Sequence, residues 1–197
     1  MVPAYLMGLN IKKIRKNLLT HLKTKNKIFL KDSVVKLTNL LVNNKFQNLI
    51  YFNYIPQLEK FLYWNQQLIA ESLGKKEKGF LPLISNAPKD HHSLLQLYLD
   101  GPRDKFFEIH SSDYINSNDF INITLSNHKE AMIKTLESEN LPIIRVDSYE
   151  VENSKKILPQ LGYIFSNSIL DVLLLSKLGG VDPFGQDAVE KQKNFLK

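Results

Sequence analysis

Hydrophobic and polar positions change period several times along the 197 residues. From Gln57 onward, Leu58, Phe61, Leu62, Leu68, Ile69 and Leu73 recur at helical intervals and line one face. Turning about 100° per residue, Gln67 and Glu71 fall on the opposite side, beside Trp64. Gly74 follows the last periodic residue and predicts a left-handed helix stop. The period then shortens. Residues 80–84 form an apolar run between Gly79 and the turn signal Ser85-Asn86-Ala87-Pro88, which predicts a buried strand. Asp90 is placed to cap a helix over 93–99 that ends before Gly101.

The rest of the chain alternates in the same way. A helix is expected from about Asn10 through Ile14, Leu18 and Leu22, and a second, capped by Asp32-Ser33, through Val34, Leu37 and Leu41. Residues 46–54 read as a strand, in which Leu49, Ile50, Tyr51, Phe52 and Tyr54 give a nearly continuous apolar run, as suits a central parallel strand covered on both faces. Residues 105–109 read as a third strand, 111–118 as a polar loop and 121–125 as an extension of the strand region. Asn127 or His128 should open a helix through Met132, Ile133 and Leu136, followed by a strand within 141–146. The most apolar late stretch, 158–181, is interrupted by Gln160, Asn167, Asp171 and Lys177, which fits a buried amphipathic helix better than a membrane span. Pro183 and Gly185 mark a turn, and Asp187 with Glu190 three residues on predicts a capped last helix containing Lys193. Strands alternating with helices imply an α/β fold, a three-layer sandwich with a mainly parallel sheet flanked by helices. With no repeat and no linker, residues 1–197 read as one domain.

Composition narrows the class. Hydrophobic content of 43% and charged content of 23% are ordinary for a soluble globular protein. The absence of cysteine excludes disulfides and thiolate metal sites and is compatible with the cytoplasm. The formal charge is +6, but its lysines and arginines are scattered and not interleaved with aromatics, so no nucleic-acid partner is expected. The apolar residues 2–11 precede the charges at Lys12, Lys13, Arg15 and Lys16, the reverse of a signal peptide.

Two positions carry candidate chemistry. Glu71 falls in the last turn of its helix, where the negative end of the macrodipole disfavours an ionised carboxylate, a useful tuning for a general base. His91 and His92 fall at a helix start, on the loop leaving a strand's carboxyl end. That is the edge where open α/β sheets bind ligands. The positive helix end favours the neutral imidazole, which can accept a proton. The competing readings are a solvated Gln67–Glu71 pair and an incidental His-His loop. A metal site from Asp90, His91, His92, His110 and Asp113 is conceivable, but the spacing matches no recognised ligand pattern and no metal is expected.

Three motifs go further: Gln67-x-x-x-Glu71-Ser72-x-Gly74-Lys75, Asp90-x-His92-Ser93, and Asp182-Pro183-Phe184-x-Gln186-x-x-Val189-Glu190-x-x-Lys193. In order and spacing they resemble three signatures of the glucose-6-phosphate isomerase family. The resemblance runs from the first residues to the last but covers only the family's C-terminal half. It implies a sugar-isomerase (SIS-type) domain with C-terminal helices, the family's first domain lying outside this chain. Because a similar apolar segment follows that domain in the family, Met1 reads as an internal or truncated start.

Interconverting an aldose and a ketose moves one proton between neighbouring carbons through an enediol. It needs a base, a group to open the sugar ring and a donor for charge developing on oxygen. The chain offers Glu71, His92 and Lys193 for these tasks, and no cofactor is required if the donors are preorganised. The resemblance implies the same division, with Gln67 and Gln186 contacting the sugar phosphate. It also implies a cytoplasmic homodimer acting in glycolysis and gluconeogenesis, with His92 reaching into the partner's site. Against the family pattern, His91 replaces a commoner Gln, Leu73 a commoner Asn, and Asp187-Ala188 a Pro-Gly. The Ser/Thr-rich phosphate loop, the Gly-rich segment before it and an upstream arginine are not visible in this sequence. A non-catalytic sugar-phosphate-binding module is the alternative, and binding alone would not need Glu71, His92 and Lys193 together.

Overall fold

Four strands, β1 (Asn48–Asn53), β2 (Leu81–Asn86), β3 (Lys105–His110) and β4 (Ile143–Val146), pair in parallel in the order β2-β1-β3-β4. The structure, a computed structural model, describes residues 2–16, 28–112, 120–146 and 154–195. Between and around the strands run α1 (Val2–Leu6), α2 (Ile11–Arg15), α3 (Ile28–Asn43), a 3-10 turn (Pro56–Leu58) and α4 (Glu59–Leu73). They are followed by α5 (Asp90–Ser93), α6 (Leu95–Asp100), α7 (Phe120–Ser138), α8 (Ser154–Gly179) and α9 (Asp187–Asn194).

The alternation of side chains on β1 and β3 builds the three expected layers. Leu49, Tyr51 and Phe106 point to one face, where they pack with Val34 and Leu41 of α3, Leu62 and Leu73 of α4, and Val172 and Leu175 of α8. Ile50, Phe52, Phe107 and Ile109 point to the other, against Tyr98 of α6 and Met132, Ile133 and Leu136 of α7. Leu73, one of the departures from the family pattern, is thus a core residue. By contrast, β2 lies at the sheet edge and is buried only in part, with Leu81 58% and Leu83 40% exposed.

Four expectations are corrected. Residues 121–125 are not strand: α7 begins at Phe120, two turns before the expected Asn127 or His128. The alternation of Ile121, Ile123 and Leu125 with Asn122 and Thr124 imitates a strand, yet Phe120 is 80% and Ile121 64% exposed on the helix surface. Helix α3 begins at Ile28, ahead of the expected Asp32-Ser33 cap. The predicted helix over 93–99 is two pieces, because the amide of Leu94 bonds to Asp90 O while its own backbone (φ −123°) leaves the helical region. Helix α8 covers the sheet, but its burial is one-sided, with Ile169, Leu174 and Leu178 partly or largely exposed. Among the described residues, its stretch Gln160–Gly179 is the one helical segment long and apolar enough to cross a membrane by length and composition. Leu18, Leu22 and the loop residues 113–118 lie outside the described residues.

One buried acid on α8 gives the fold a pH dependence. Burial, reinforced by the charge of Glu108, pushes the Asp171 carboxyl up to about 7, and its Oδ1 is buried with no hydrogen-bond partner among the described residues. Between the ordinary carboxylate range and that value, the folded chain holds a proton that the unfolded chain has released. Stability is therefore fully present in acid and falls as pH rises toward 7. The loss expected from this group is on the order of 4 kcal/mol. Urea titrations at pH 4.5 and 8 should show this loss in the wild type and a much smaller one in Asp171→Asn. Equal losses in both proteins would place the titration elsewhere.

Candidate active site

Helix α4 starts at the carboxyl end of the sheet and runs back along it, so its last turn reaches the edge where the strands begin. It buries Phe61, Leu62, Ile69 and Leu73 and leaves Gln67 and Glu71 on its exposed side, as the periodicity predicts. One turn apart, the two side chains meet: Gln67 Nε2 donates to Glu71 Oε1 at 2.8 Å. The second carboxylate oxygen, Oε2, accepts from Gln186 Nε2 at 2.9 Å across 115 residues of sequence. Two N–H donors thus fix the orientation of one exposed carboxylate.

Gly74 does end α4, but not by a left-handed residue. Its φ is −72°, the Lys75 amide bonds to Leu73 O at 2.8 Å, and a Cβ at 74 would lie 2.6 Å from Ala70 O. The glycine is required there for space, and the chain turns through a γ-turn. Beyond it, Lys75 and Lys78 close a two-residue turn that leads into β2.

Gln186 reaches Glu71 from the segment between α8 and α9. Asp182 Oδ1 accepts the amide of Phe184 at 3.1 Å, folding the Asp182-Pro183-Phe184 corner. The expected cap at Asp187 is displaced by one residue. Gln186 O accepts the amides of Val189 at 3.0 Å and Glu190 at 3.4 Å, and Asp187 is already helical. The capping box therefore does not form. Glu190 pairs with Lys193 Nζ at 2.5 Å, on the exposed surface of α9. Gln67, Glu71 and Gln186 are brought together; Lys193 points to Glu190, about 10 Å along the helix from Gln186.

His92 lies at the other edge. It sits in α5, immediately after the carboxyl end of β2, and its ring is exposed. Since β2 spans six residues, Glu71 and His92 of one chain are separated by about 20 Å, the length of the strand.

The expected cap at Asp90 does not form: Asp90 is already the first residue of α5, and no side chain caps α5 or α6. Its carboxylate instead faces back toward β2, and two signals in the sequence set α5 in place. The buried Asp90 accepts from Asn86 N at 2.7 Å, Ser93 Oγ at 2.8 Å and Ser85 Oγ at 3.2 Å, which pins α5 to the end of β2. Burial alone would raise its carboxyl, but the hydrogen bonds from Ser93, Asn86 and Ser85 and the charge of Lys89 together hold it below the ordinary value. The spacing Ser85-Asn86-x-x-x-Asp90-x-x-Ser93 was the available signal. The second anchor is His91, whose Nε2 is 2.8 Å from Tyr54 Oη and whose ring meets Phe52 and His128 edge-on. Burial, followed by the neighbouring His128 and His92, lowers the His91 pKa against the pull of Asp90. His91 is therefore a neutral packing residue that leaves His92 to face outward. Among the described residues no three His, Asp or Glu side chains gather as metal ligands, and Asp113 lies outside them.

No family model matches the chain. Among curated proteins, it is 27% identical to a glucose-6-phosphate isomerase of Methanocaldococcus jannaschii, over 99% of this chain and 52% of that protein. It is 32% identical to a probable glucose-6-phosphate isomerase of Halobacterium salinarum, over 72% of this chain and 35% of that protein. A glucose-6-phosphate isomerase of Rubrobacter xylanophilus is also 32% identical, over 72% of this chain and 36% of that protein. The chain therefore spans about half the length of the first of these relatives and a little over a third of the other two. The fold matches a crystal structure of a hypothetical protein from Thermus thermophilus, with a TM-score of 0.73 at 20% identity, over 93% of this chain and 48% of that one.

Proposed function

The chain belongs to the glucose-6-phosphate isomerase family, and from that premise we propose that it supplies the acid–base half of an aldose–ketose isomerase acting on glucose 6-phosphate and fructose 6-phosphate. The observation that carries this reading is the carboxylate of Glu71 held between the amides of Gln67 and Gln186. Held in this way, Glu71 can take a proton from one carbon and return it to its neighbour. The two glutamines hold the carboxylate and meet the sugar hydroxyls. Lys193, released from Glu190, and His92 serve ring opening and the charge that develops on oxygen.

The strand-length separation of Glu71 and His92 supports a homodimeric SIS-type arrangement in which each histidine completes the partner's site. In this reading the phosphate cradle lies in the part of the family's length that this chain does not span. Binding energy from that non-reacting phosphate orients the sugar, so this chain by itself should turn over very little substrate.

The test compares the 197-residue chain with an enzyme of full family length that carries it. The longer protein should interconvert the two hexose phosphates in a coupled assay and place solvent deuterium on the carbon beside the carbonyl. Robust turnover by the 197-residue chain would refute the division of labour. Sugar-phosphate binding by the longer protein without any exchange would replace the isomerase reading with that of a binding module.

A further inference from the structure

The turn that joins α4 to β2 is built at odds with its own sequence. Lys75 and Lys78 bond through their backbones in both directions, at 3.1 Å and 3.0 Å, which makes Lys76 and Glu77 the central pair of a two-residue turn. Both adopt left-handed backbone, with φ of 54° and 62°. Glycine, asparagine or aspartate is the usual occupant of such positions, and a lysine followed by a glutamate is strained there.

The lysines of this turn all reach one stretch, the carboxyl end of α8 and the three residues after it. Lys78 Nζ donates to Gly179 O at 2.8 Å, Lys76 Nζ to Gly180 O at 3.2 Å, and Lys75 Nζ to Asp182 O. There α8 closes with the Val181 amide on Ser176 O at 2.9 Å, around Gly180 at a φ of 69°. The last carbonyl of this 26-residue helix, Gly179 O, carries the negative end of its dipole and meets Lys78, while Lys76 and Lys75 hold the carbonyls of Gly180 and Asp182 just beyond it. Immediately beyond those carbonyls the chain turns and delivers Gln186 to Glu71.

We propose that Lys75, Lys76 and Lys78 are positioning residues, a clamp that holds the arm after α8 so that Gln186 stays on the Glu71 carboxylate. Glycine would suit the backbone at position 76 better, but it could not supply the ammonium that grips Gly180 O. The clamp also explains why the two ends of the site, more than a hundred residues apart, meet on the same edge of the sheet. This inference rests on reading Glu71 and Gln186 as parts of one site. Its test measures their coupling and not turnover, so the clamp and the isomerase reading can fail separately.

The experiment follows side-chain amide signals by NMR in the 197-residue chain. In the wild-type background, Glu71→Ala should displace the signals of both Gln67 and Gln186. In a Lys76→Gly, Lys78→Met background, the Gln186 displacement should be lost while that of Gln67, carried on the same helix as Glu71, persists. Arginine at positions 76 and 78 should restore it. An undiminished Gln186 displacement in the Gly/Met background overturns the clamp, as does a Gln186 signal indifferent to Glu71 in the wild type. Should the double variant fold poorly, Lys76→Gly alone decides in the same way, since it removes one contact while relieving the strained turn.

Discussion

Replacing Glu71 by Gln in an enzyme of full family length is expected to lower turnover by about 10²–10⁴-fold, with the Michaelis constant little changed. The substitution is nearly isosteric and removes the one group at the end of α4 that can carry the proton between carbons. Its side effects are small and foreseeable. Both Glu71 oxygens accept a hydrogen bond, from Gln67 at 2.8 Å and from Gln186 at 2.9 Å. A glutamine offers one oxygen and one amino group, so one neighbour must rotate its own amide to keep its bond. Gln67 is exposed, so such a rotation costs little and the unfolding midpoint should hardly move. Solvent deuterium incorporation into the sugar should collapse together with turnover. Exchange at the wild-type rate in this variant would assign the base to another residue.

The face that carries Glu71 was legible because it depends on local spacing alone. The apolar stripe of α4 fixes which side is buried, and Gln67 and Glu71 follow from it by elimination. The parallel sheet was legible for a similar reason: β1, buried on both faces, reads as an apolar run from Leu49 to Phe52, and strand and helix stretches alternate along the chain. What failed was decided by partners distant in sequence. The start of α7 reads as a strand because Ile121, Ile123 and Leu125 alternate with Asn122 and Thr124, a period of two that five residues are too short to overrule. Asp187 looked like a cap because the residue type is right, yet the cap position belongs to Gln186, whose side chain is drawn to Glu71. The lysine turn carried no recognisable turn signal at all. Its left-handed lysine makes sense only beside the carbonyls of α8, a hundred residues later.

Mixing two inactive proteins, one carrying Glu71→Gln and the other His92→Ala, is expected to restore activity after dissociation and reassociation of the subunits. The reason lies in the topology. Helix α4 returns Glu71 to the edge where the strands begin, while α5 places His92 beyond the opposite edge, about 20 Å away across the six residues of β2. No side-chain motion spans that distance, so a site needing both groups requires two subunits. The pins on α5 sharpen the argument: Asp90 ties it to β2 and His91 is lodged against Tyr54 and Phe52, leaving His92 exposed and facing away. Two-fold symmetry makes any such contact reciprocal, so in the proposed dimer a histidine that reaches the partner's carboxylate is matched by its counterpart. A mixed dimer then holds one site with both residues intact and one with neither. With random pairing about a quarter of all sites recover, so activity should return to roughly that fraction of the wild type. If both residues served the same subunit, every site would remain damaged and mixing would restore nothing. A silent mixture, with subunit exchange verified by a mass label, would sink the shared site while leaving the role of Glu71 untouched.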